Sequence, residues 1–207
     1  MKILNKKSYQ KEIIYPVILT VPKKYSNYKG REKNIVLSKL ARNALKISAH
    51  RLGIKFDKPL KDKDGVPLPF NNGYYWSVTH KTEYVGGVLS SKKTGIDVEK
   101  IRPCNRALFR KTGSDKEWRL SDEDPFRLFF RYWTSKEAVL KANGKGLPDF
   151  SKCSVKQILD KNSLIINYNN KDWIIEHFFF DDYVASILKN SFNIKWETGN
   201  KKWRAWH

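Results

Sequence analysis

Residues 124–147, DPFRLFFRYWTSKEAVLKANGKGL, carry the strongest helical signal in the chain, and the fold can be read outward from them. Asp124 suits an N-cap, because its carboxylate can accept hydrogen bonds from the free N–H groups of a first helical turn. Pro125 follows at the first helical position, where a missing N–H costs nothing. Gly144 is a natural stop. Between them Phe126, Phe129, Phe130, Tyr132 and Trp133 predict a largely buried helix, so its charged side should face a cleft. Glu137 and Lys141 lie four apart on that side. An ordinary surface ion pair at this spacing is the competing reading.

Upstream, residues 13–21, IIYPVILTV, read as a buried strand interrupted by Pro16. The stretch lacks a small-residue cleavage site, so it is not expected to be a signal peptide. Residues 26–54 repeat Ile35, Val36, Leu40, Ala44, Leu45 and Leu52 at near-helical spacing, with Gly53 as a stop. A Pro-, Gly- and Asp-rich connection over 59–72 precedes short strands at Tyr75–His80, Tyr84–Ser90 and 94–101. Residues 106–118 read as helical. Beyond Pro148, strands fit Ser163–Tyr168, 173–180 and Tyr183–Leu188. The order predicts an α+β protein of two packed halves. The first covers 1–101 and the second 102–194, followed by a basic, Trp-containing, loosely attached tail over 195–207.

Composition limits the partners. The 207 residues carry 41 Lys+Arg against 21 Asp+Glu, a formal charge of +20, which points to an anionic partner. Nucleic acid, an acidic membrane surface, a polyphosphate and an acidic protein all satisfy it. No apolar run reaches the length of a membrane span. Cys104 and Cys153 have neither disulfide-framework nor metal-site spacing, and a reduced, cytoplasmic protein is expected.

Three further segments could bear chemistry. In TGIDVEKI, strand alternation puts Asp97 and Glu99 on one face and Ile96 and Val98 on the other. Two carboxylates so placed repel, and a hard cation such as Mg²⁺ would relieve them. An isolated Asp-x-Glu is more often a solvated strand face. Gly95 just before the pair permits a close backbone approach. His80 closes the strand SVTHK, where a structural hydrogen-bonding role is the ordinary reading. The Gly-rich turn NGKGL lacks the spacing of a phosphate loop.

In order and spacing, these segments resemble the 4′-phosphopantetheinyl transferases, specifically the larger, monomeric type that activates peptide and polyketide synthetases. The resemblance is carried by Gly65-Val66-Pro67, by Val78-Thr79-His80-Lys81 and by Gly95-Ile96-Asp97-Val98-Glu99. It continues in Trp133-Thr134-Ser135-Lys136-Glu137-Ala138-Val139-Leu140-Lys141 and Gly144-Lys145-Gly146-Leu147. It implies two similar halves related by a pseudo-two-fold axis. The implied reaction moves the phosphopantetheine arm of coenzyme A to a serine of an apo acyl or peptidyl carrier protein, releasing adenosine 3′,5′-bisphosphate. Asp97, Glu99 and Glu137 are implied as Mg²⁺ ligands, with Glu137 or a metal-bound water as the candidate proton acceptor. Lys141 is implied beside the leaving phosphate, and Glu117 as an additional acidic residue near the site. His80 is implied at the adenosine 3′-phosphate, assisted by Lys39 or Arg31 of the N-terminal helix. Where the family pattern has lysine and serine, this chain has Val66 and Lys81; Lys81 could add an anion contact. The carrier is expected to be acidic and to dock beside the helix of Glu137.

Two other functions fit parts of the sequence. The Lys-rich N-terminal third and the basic tail suit a nucleic-acid-binding protein. Asp97, Glu99 and Lys100 resemble the carboxylate–lysine cluster of some nucleases. Neither explains Glu137 and Lys141 in their pattern, so neither nucleic acid nor membrane is expected as partner.

Overall fold

The structure, a computed structural model, describes residues 11–70, 72–190 and 192–199. Pro16 splits the first apolar stretch into β1 (Glu12–Ile14) and β2 (Val17–Thr20), since proline has no N–H to give to a ladder. Helix α1 (Gly30–Arg51) buries Leu37, Ala41, Ala44, Leu45, Ser48 and Ala49 along one face, and its small residues allow it to lie close on a sheet. Strands β3 (Tyr75–His80), β4 (Tyr84–Ser90) and β5 (Ile96–Lys100) follow. Two short helices, α2 (Arg106–Thr112) and α3 (Asp115–Trp118), come next.

Helix α4 (Pro125–Ala142) starts as its sequence dictates: Asp124 accepts from the N–H groups of Phe126 and Arg127 at 3.1 and 2.9 Å. It ends at Gly144, whose φ of 63° lies in the left-handed region. Five more strands complete a meander and return the chain: β6 (Ser154–Asp160), β7 (Ser163–Tyr168), β8 (Lys171–Phe180), β9 (Tyr183–Leu188) and β10 (Phe192–Ile194). A last strand, β11 (Glu197–Gly199), follows them.

The architecture is the expected α+β mixture. One sheet has the order β11-β2-β4-β3 and the other β5-β9-β8-β7-β6, while β1 and β10 form a separate pair. Although β5 precedes residue 101, it pairs antiparallel with β9 inside the second sheet. The first and last described strands also pair, because β10 lies parallel to β1 and β11 parallel to β2. The beginning of the 195–207 tail is therefore part of a sheet, and its remainder from residue 200 lies outside the described residues.

Between the sheets sits a core of Ile14, Ile18, Val88, Ile96, Val98, Tyr183, Ala185, Ile187 and Phe192. A fully buried Ile, Val or Phe among these contributes about 1.5–3 kcal/mol, so the two sheets are held together by apolar packing. A second core lies beneath α4, built from Leu128, Tyr132, Val139 and Leu140 against Leu164, Ile166 and Ile175. Helix α4 reaches β5 closely because residue 95 has no side chain. A Cβ on Gly95 would lie 1.9 Å from the carbonyl oxygen of Ala138.

Candidate active site

The close approach of α4 to β5 brings the two sequence pairs together. Along β5, Ile96 and Val98 enter the core, while Asp97 and Glu99 face a cleft of about 450 Å³. Trp133, Glu137 and Lys141, one helical turn apart in succession, face the same cleft from α4. His80 and Lys81 line it from the end of β3, and Ser38 and Arg42 from α1.

Two lysines neutralise part of the carboxylate cluster. Lys141 donates to Asp97 Oδ1 at 2.7 Å and to the Ile96 carbonyl at 3.1 Å. Thr79 Oγ1 donates to the same Asp97 oxygen at 2.9 Å. Lys81 pairs with Glu99 at 2.5 Å. The other oxygen of Asp97, Oδ2, is buried without a hydrogen-bond partner. Such an orphaned anionic oxygen is costly unless a cation or donor reaches it. Burial, and then the neighbouring Asp97, raises the Glu137 carboxyl above its usual range. The Glu99 carboxyl is raised by burial and drawn back by its contact with Lys81. Burial lowers the His80 imidazole below its usual value, with Lys141 and Lys81 adding to the effect.

This donor set fits a hard divalent cation, being three carboxylates with one buried, unpartnered oxygen among them. As the side chains stand, however, no group of three or more His, Cys, Asp or Glu residues among those described converges closely enough to hold a metal.

Other expected residues fall outside the cluster. Arg31 lines an adjoining recess with Asn34, Ser38, Arg42 and His80. Lys39 is exposed and lines neither space. Helical rotation explains the difference: Ser38 and Arg42 lie within about 20° of Arg31, whereas Lys39 is turned about 80° away. Arg42 is thus a cleft cation that the sequence reading missed, though its helical phase was available. Lys61, from the irregular connection, was missed without any periodic signal; it lines the cleft and an adjoining space with Val66 and Lys145.

Glu117 does not line the cleft. It caps α3 through the N–H and hydroxyl of Ser114, at 2.7 and 2.8 Å. Its other oxygen accepts from Val155 N–H at 2.7 Å and from Lys136 at 3.0 Å. Lys136 is buried beside Glu137 in sequence but points the other way, donating to the Thr112 carbonyl at 2.6 Å.

A two-sheet α+β frame with a carboxylate–lysine cleft at the contact of β5 and α4 defines the class. Residues 93–188 match the family model of the 4′-phosphopantetheinyl transferase superfamily, a span that includes the β5 and α4 motifs. The segment that carries both motifs is thus similar to that superfamily. It is 30% identical over 110 residues to 4′-phosphopantetheinyl transferase HetI of a Nostoc species, covering 49% of this chain and 46% of that protein. It is 30% identical over 78 residues to 4′-phosphopantetheinyl transferase psf-1 of Bacillus pumilus, covering 36% and 34%. A longer match, 26% identical over 176 residues, is to the L-aminoadipate-semialdehyde dehydrogenase-phosphopantetheinyl transferase of Xenopus laevis, covering 69% and 58%. The chain thus spans less than two thirds of each of these relatives.

Proposed function

We propose that this protein transfers the 4′-phosphopantetheine arm of coenzyme A to a serine of an apo acyl or peptidyl carrier protein, in a Mg²⁺-dependent reaction that releases adenosine 3′,5′-bisphosphate. The observation that carries this reading is the joining of Asp97, Glu99, Glu137 and Lys141 at one cleft, with Asp97 Oδ2 buried and unpartnered. Asp97, Glu99 and Glu137 are the residues that would hold the metal. A bound Mg²⁺ would supply charge neutralisation on the diphosphate oxygens.

The chain's own groups do the rest. The carrier serine oxygen forms a bond to the phosphorus next to the pantetheine arm, and the bond from that phosphorus to the bridging oxygen breaks. Glu137, whose carboxylate faces the cleft, takes the serine proton. Lys141 presents its ammonium to the departing phosphate. His80, Arg42 and Arg31 bind the adenosine 3′-phosphate, and Lys81 joins them once free of Glu99. Glu117 acts by fixing α3 and Lys136, and Lys39 is not needed at the pocket.

Both halves of one chain supply cleft walls, which supports a monomer. The formal charge of +20 suits an acidic carrier through electrostatic steering. The two free thiols accord with a cytoplasmic setting. No described helix is long and apolar enough to cross a membrane.

Incubation with coenzyme A, Mg²⁺ and an apo carrier should add one phosphopantetheine arm to the carrier, read by intact mass. Glu137→Gln should reduce transfer by at least about 100-fold while leaving the fold unchanged, since it removes a ligand charge at constant volume. No mass gain with several carriers, accompanied by cleavage or tight binding of DNA, would overturn the reading.

A further inference from the structure

Ser77, Thr79 and Lys81 alternate along one face at the end of β3 and make successive contacts with β5. The Ser77 hydroxyl accepts from Ile96 N–H at 3.2 Å, Thr79 donates to Asp97, and Lys81 pairs with Glu99. The last of these contacts differs from the Lys141–Asp97 pair in how firmly its cation is held. Lys141 is fixed by two acceptors and its side chain is 29% exposed. Lys81 has Glu99 as its recorded ion-pair partner, its side chain is 37% exposed, and a flexible four-carbon stem carries it. Glu99 itself is only 14% exposed, so its charge is poorly served by water.

From this geometry, and resting on the metal-dependent reading above, we infer that Lys81 is a tethered counter-cation of the metal site, which a divalent ion displaces from Glu99 on binding. Lys81 thereby sets how much divalent cation the site requires. A carboxylate oxygen in contact with an ammonium cannot also face a dication without the two cations repelling at a few ångströms. Asp97 Oδ2 is already without a partner, and the Glu137 carboxylate faces the same cleft. Of the two ammonium–carboxylate contacts at the cluster, the Lys81–Glu99 one is the more exposed and its cation has no second acceptor among the described residues, so it is the one that an incoming cation displaces. Once displaced, the ammonium still faces the cleft that His80 and Arg42 share, where it is available to an anion.

The test is Mn²⁺ binding to the full chain without coenzyme A, followed by electron paramagnetic resonance, with circular dichroism to confirm folding. Lys81→Met keeps the stem and removes the charge, and it should bind Mn²⁺ about five-fold more tightly than the unaltered protein. Lys81→Arg keeps the charge and should bind as the unaltered protein does. Glu99→Gln should bind much more weakly. Unchanged or weaker binding by Lys81→Met overturns the inference and leaves the metal site standing, provided that Glu99→Gln still lowers affinity. Tightening in Lys81→Arg as well as Lys81→Met would trace the effect to side-chain shape and overturn it too. Failure of the unaltered protein to bind Mn²⁺, or binding indifferent to Glu99→Gln, removes the metal site and the inference together.

Discussion

Glu117 and Glu137 are both glutamates close to lysines, yet their surroundings assign them opposite tasks. All the acceptor capacity of Glu117 is engaged by Ser114, Val155 and Lys136, whereas Glu137 faces a cleft. Glu117→Gln would leave Lys136, which is 2% exposed, with only a carbonyl to satisfy its charge. Stripping one partner from a buried pair costs about 3 kcal/mol, so the melting temperature should fall by several degrees. Transfer per folded molecule should stay near that of the unaltered protein. Lost transfer without lost stability would return Glu117 to the chemistry. Which task each glutamate has was not legible from its neighbours in sequence, because Val155 and Thr112 reach Glu117 and Lys136 only through the tertiary fold. The shared face of Asp97 and Glu99, by contrast, followed from strand alternation alone.

At the scale of elements, the site depends on how closely a helix can lie on a strand. Gly95, two residues before Asp97, makes that approach possible: an added methyl group there would meet the backbone of α4. Gly95→Ala should therefore cost about 3 kcal/mol or more, measured by denaturant unfolding, because backbone cannot yield as a side-chain tip can. Gly146→Ala is the contrasting case, with its nearest neighbour 3.7 Å away, and should change stability by no more than about 0.5 kcal/mol. The helix itself was readable from Asp124, Pro125 and Gly144, which act locally. Strand β6 was not, since shifts of register at Val155/Gln157 and Ile158/Asp160 break the alternation that marks a strand. The sheet to which β5 belongs was also unreadable, because its partner β9 lies far along the chain.

Across the whole molecule, the two sheets are bound by the core between them and by the return of β10 and β11 to β1 and β2. Trp196 stacks on Phe178 with ring centroids 5.3 Å apart and donates to Glu176 at 3.1 Å, while Glu197 pairs with Arg51 of α1. A chain stopped after Ile194 should lose about 3 kcal/mol in equilibrium unfolding, the order expected for removal of a packed tryptophan. Equal stability would mean that β11 contributes nothing. The sequence reading of a loose tail rested on its mixture of Lys and Trp, a composition that also suits a strand laid over an apolar surface.

The parallel pairing of β10 with β1 and of β11 with β2 also bears on how the protein is made. Ribosomes release a chain from its N-terminus, so β1 and β2 emerge long before the strands that complete them. Their pairing closes loops of 180 residues, from Glu12 to Phe192 and from Val17 to Glu197, a high-contact-order step that is entropically late and slow. During synthesis β2 therefore has one edge without its final neighbour, open to wrong partners until the last strands are released.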